Sequence, residues 1–117
     1  MNTEYMKKLP AGFPKELIYK AKSLDHIGVH ELAWRYIDSI KVIEILYKNN
    51  YAVLGGDVYK IDNLILNPTY DSWYFNGNVA RSMQEMMLKS RDAAVEYINN
   101  YYSTNGDEFY YSIVFQK

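Results

Sequence analysis

Two histidines, His26 and His30, stand four residues apart, a spacing that on a helix would turn two imidazoles toward one metal ion. Gly28 lies between them, and glycine commonly ends a helix in a left-handed cap. The pair therefore reads as turn histidines. His30-Glu31 is not followed by the second histidine of a His-Glu-x-x-His zinc motif. Gly55-Gly56-Asp57 resembles a phosphate-loop fragment but lacks the Gly-Lys-Ser/Thr ending, and no helix is expected after it to meet a phosphate. Asp57, Asp62 and Asp71 could imitate paired acid/base carboxylates, yet turns and sheet edges carry aspartates without any such role. There is no cysteine and no Gly-x-Ser-x-Gly elbow. Met83, Met86 and Met87 share a helical stripe and read as core filler. No cofactor or metal is implied, and the chain reads as a non-enzyme. The enzymatic alternative is a small metal-dependent protein using His26, His30 and Asp57.

The elements that would carry these residues belong to one domain of 117 residues. Lys and Arg number 13 against 14 Asp and Glu, with no basic run, so the dense cationic footprint of a nucleic-acid binder is missing. No stretch approaches the apolar length of a membrane span. The first residues lack the apolar core of a signal peptide. The expectation is a cytoplasmic protein that contacts neither nucleic acid nor membrane. Tyrosine is in excess: 13, against 4 Phe and 2 Trp. Tyrosine packs as an aromatic and keeps a polar tip, which suits half-exposed sheets and binding surfaces.

Residues 1–13 read as an irregular arm. Pro14 opens a helix through Leu17, Ile18, Ala21 and Leu24, which Gly28 closes. A second helix is expected over 30–49, with Trp34, Val42 and Ile45 forming an apolar patch off its main stripe. Extended segments are expected over 51–61, 64–66, 70–75 and 109–115, with Gly55-Gly56 marking a bulge or a close backbone approach. A long helix over 79–102 carries one apolar side, and Ser90 is either inside it or the cap of a break. Alternation puts Phe109, Tyr111, Ile113 and Phe115 on a core face, joined by Trp73 and Phe75. Tyr110, Ser112, Val114, Tyr70, Ser72 and Tyr74 fall on the opposite face. The fold class is α+β: a small, mainly antiparallel sheet of 3–5 strands with helices packed on one face.

Val53-Leu54-Gly55-Gly56-Asp57-Val58-Tyr59 resembles a segment of the Immunity protein 40 family, bacterial proteins encoded with polymorphic toxins. The likeness starts near Gly28-Val29 and runs through Ala33-Trp34 and Ile45-Leu46. Asp71-Ser72-Trp73-Tyr74 stands where the family has an Asn-Trp-Tyr-like segment, with serine in place of the asparagine. Ser90, Ala94, Tyr97-Ile98, Tyr101 and a Tyr-rich last strand complete it, over residues 28–115. The resemblance implies an α+β fold, no enzymatic activity, and a cytoplasmic task of binding and blocking one cognate toxin domain.

The expected contact residues are Asp57, Tyr59, Tyr70, Tyr74, Tyr110 and Ser112. Gly55, Gly56, Trp34 and Trp73 are expected to be structural. The chain is expected to be a monomer or weak homodimer. The alternative binding function is a self-associating subunit using the Trp34/Val42/Ile45 patch.

Overall fold

The structure is a computed structural model that describes residues 3–117. Four α-helices are seen among these residues: α1 (Thr3–Lys8), α2 (Lys15–Lys20), α3 (Tyr36–Lys48) and α4 (Met83–Asn105). Six strands form one antiparallel sheet: β1 (Lys22–Ser23), β2 (Leu32–Arg35), β3 (Ala52–Asp62), β4 (Ile65–Tyr74), β5 (Phe109–Ser112) and β6 (Val114–Gln116). Their order is β1-β2-β5-β3-β4, with β6 also paired to β3. The α+β class is as expected, but the sheet is larger than three to five strands. The reason lies in β1 and β2, which are short and were hidden inside segments with helical spacing.

The second helix begins at Tyr36 and not at His30. Leu32, Ala33 and Trp34 instead form β2, paired through Ala33–Ser112, Trp34–Tyr111 and Arg35–Tyr110. All three are buried. A strand covered on both faces loses its alternation and reads like a helix segment. Trp34 is fully buried, and its indole N–H donates to the Leu17 carbonyl at 2.7 Å. Val42 is fully buried as well. The Trp34/Val42/Ile45 patch is therefore core, which removes the surface expected for self-association.

Helices α3 and α4 pack on each other and on one sheet face. The core between them joins Trp34, Val42, Ile43, Leu46, Val53, Val58, Ala94, Ile98, Tyr111 and Ile113. The N-terminal segment also belongs to it, which corrects the irregular arm. Met1 and Asn2 lie outside the described residues, but Tyr5, Leu9 and Phe13 are buried. The Tyr5 hydroxyl donates to the Ile113 carbonyl at 2.9 Å. Helix α2 stops at Lys20; Ala21 is extended and a 3-10 turn at Asp25–Ile27 ends on Gly28 in left-handed conformation.

Helix α4 is continuous. It starts where the Ser82 hydroxyl accepts the Glu85 N–H, a capping arrangement. Ser90 is buried in mid-helix, where its Oγ accepts the Val53 N–H at 3.0 Å and donates to the Met87 carbonyl. The β3 ladder slips by one residue between Val53 and Gly55, so this serine partners an N–H at the irregularity. Gly56 sits beneath Trp73; a Cβ there would overlap the Ser112 carbonyl oxygen and the Trp73 ring. The strand expected to end at Asn67-Pro68 continues to Tyr74 as β4. β4 is the sheet edge, the place where a strand accommodates proline.

Candidate functional site

The sheet face turned away from α3 and α4 is only partly covered. The turn and loop over 24–29 cross one end of it, packing Leu24 and Val29 on Ala33, Tyr59, Leu66 and Tyr110. His26 anchors this crossing by donating from Nε2 to the Leu66 carbonyl at 2.8 Å. His30 Nδ1 lies 3.4 Å from Asp25 Oδ1. The two histidines thus serve different neighbours. Among the described residues, no group of three or more His, Asp or Glu is placed to hold a metal ion.

Strand register places Asp57, Tyr59, Tyr110 and Ser112 on this second face, since Tyr59 pairs with Tyr110 and Ala33 with Ser112. Their exposure differs. Tyr59, Tyr110 and Ser112 are buried, so they make the floor of this face. The Ser112 hydroxyl accepts the Asp57 N–H at 3.2 Å. Asp57, Tyr70, Ser72 and Tyr74 are exposed; Tyr70 and Tyr74 are 91% and 82% accessible. Alternation identified the shared face, but it could not show that the 24–29 crossing covers part of it.

A groove of about 290 Å³ separates the crossing from β3 and β4. Ile27, Val29, Tyr59, Pro68 and Tyr70 give it apolar and aromatic walls, and Asp57 and Asp71 give it negative charge. Asp71 is held by the Tyr101 hydroxyl, which donates to its Oδ2 at 2.8 Å. An irregularity in β4 creates this edge. Asp57 pairs with Ser72 but Tyr59 with Pro68, so Thr69, Tyr70 and Asp71 stand against Val58 alone. Thr69 stabilises the detour, its hydroxyl donating to the Val58 carbonyl at 2.8 Å and accepting the Asp71 N–H at 3.1 Å.

Glu31, weighed in the sequence only as part of a zinc motif and not as a contact residue, adds to this acidic ground. One of its oxygens, Oε1, is buried without a hydrogen-bond partner. Burial first, then the neighbouring Asp57 carboxylate, raises the Glu31 carboxyl above the usual carboxylate range. The Tyr59 hydroxyl is pushed up to about 12, mainly by burial and then by Asp57 and Glu31. This face can offer aromatic surface and negative charge to a partner.

The helix side uses its tyrosines differently. Trp73 stacks on Tyr97 with ring centres 5.1 Å apart, and Tyr101 meets Tyr97, Phe109 and Tyr111. No helix among the described residues is long and apolar enough to cross a membrane. Residues 23–115 match the family model described as Immunity protein 40. No curated protein and no solved structure matches the chain.

Proposed function

This chain belongs to the Immunity protein 40 family, and from that premise we propose that it binds and neutralises a cognate bacterial toxin domain by covering that domain's active or functional surface. The observation that carries the mechanism is the open part of the second sheet face. Two tyrosines lie there in solvent beside Asp57 and Asp71. Rigid aromatic side chains give contact area at low entropic cost. Tyr59, Tyr110 and Ser112 support this surface from below. Asp57, Tyr70 and Tyr74 are the contacts. The protein acts as a monomer or weak homodimer in the cytoplasm, without catalysis.

The test is co-expression with the toxin domain encoded beside its gene, scored by cell survival and co-purification. Survival with a co-purifying complex is expected. Cell death with no complex would remove this function.

A further inference from the structure

A bulky side chain that is both on left-handed backbone and in open solvent is unfavourable twice over. Four residues other than glycine have positive φ among those described: Asn50 (66°), Asn63 (50°), Leu64 (67°) and Tyr70 (69°). Asparagine enters this region readily, whereas leucine and tyrosine do so against a steric cost. These two are also among the most exposed large apolar residues, Leu64 at 83% and Tyr70 at 91%. Leu64 is a corner of the β3–β4 hairpin turn, a position that favours glycine. Tyr70 stands at the detour in β4. Within the described chain neither side chain has a hydrogen bond or ring contact that would explain its retention. Strain of this kind points from the backbone outlier to a use.

The charge around these residues indicates what they meet. The hairpin over 52–74 holds Asp57, Asp62 and Asp71 against one lysine, Lys60; the rest of the chain holds 11 acidic and 12 basic residues. The excess negative charge of the whole protein therefore lies on this hairpin. We infer that Leu64 and Tyr70 are docking anchors, received by a toxin surface with apolar hollows rimmed by lysine and arginine side chains. Along the strand the anchors stand roughly 15–20 Å apart, at ~3.3 Å per residue. This rests on the toxin-binding function proposed above and names the chemistry of its partner.

Leu64→Gly and Tyr70→Gly test it, because glycine relieves the backbone strain while removing the anchor. Both variants are expected to melt at or above the wild-type temperature. Each is expected to lose about tenfold or more in affinity for the co-purified toxin domain. Asn63→Gly, which removes no anchor, is expected to bind within about twofold of wild type. Association of the wild type should slow as salt rises, and less so for Asp57→Asn/Asp71→Asn. Wild-type binding that survives both glycine substitutions within about twofold overturns the anchors and leaves the function standing. Melting of both glycine variants well below wild type overturns the strain argument. A wild type that binds no toxin removes the function itself, a different result from tight binding that ignores the anchors.

Discussion

Two groups of tyrosines in this molecule, one on each face of the sheet, differ in their physical situation. Beneath α4, Tyr97 and Tyr101 lie between Trp73, Phe109 and Tyr111, and the Tyr101 hydroxyl is committed to Asp71. On the other face Tyr70 and Tyr74 project into solvent. The excess of one residue type thus divides into a structural share and a free share. The difference teaches that composition signals a binding protein only after packing has claimed its part. If the division is right, substitutions on the helix side should cost stability, and substitutions on the open side should cost affinity.

The largest effect is expected at Trp34, where alanine should cost about 3–5 kcal/mol of unfolding free energy by cavity formation and loss of the bond to Leu17. Urea denaturation measures it. Gly56→Ala follows, at about 1–3 kcal/mol, because the new methyl group displaces the Ser112 carbonyl or the Trp73 ring. Tyr74→Ala should move stability by less than ~0.5 kcal/mol while weakening toxin binding about tenfold, or ~1.4 kcal/mol. Calorimetric titration and a thermal melt on the same preparation separate the two. Tyr110→Ala would blur this contrast, since Tyr110 is floor and its loss should lower the melting temperature.

The smallest effect concerns Glu31. Its carboxyl holds a proton more tightly in the folded chain than in the unfolded one, so its ionisation opposes folding as pH rises through the folded value. Glu31→Gln should therefore be more stable than wild type at pH 7. The advantage should vanish once pH falls below the ordinary glutamate range of about 4.3. Unfolding curves at pH 7 and at a pH below that range check the sign.

Much of this division was legible in the residues. Alternation in 109–115 separated Tyr111 and Ile113 from Tyr110 and Ser112, and the glycine pair signalled a bulge or a close backbone approach, which Gly56 makes to Trp73. Three features escaped. β2 is buried on both faces, so Leu32-Ala33-Trp34 carried no strand period. The crossing over 24–29 joins residues distant in sequence, as His26 to Leu66 shows, and only such long-range packing reveals that Tyr59 and Tyr110 are covered. The detour that lifts Tyr70 depends on the Thr69 hydroxyl reaching Val58, although Leu64 after Asn63, where a two-residue hairpin turn favours glycine, was a local sign of strain in this hairpin.

Hydrogen–deuterium exchange of the protein alone and bound to its toxin domain tests the central claim most directly. Slower exchange on binding is expected at residues 64–74 and at the 27–31 loop, with α3 and α4 unchanged. Protection confined to the outer sides of α3 and α4, with β4 exchanging as in the free protein, would contradict the open sheet face as the toxin-binding surface.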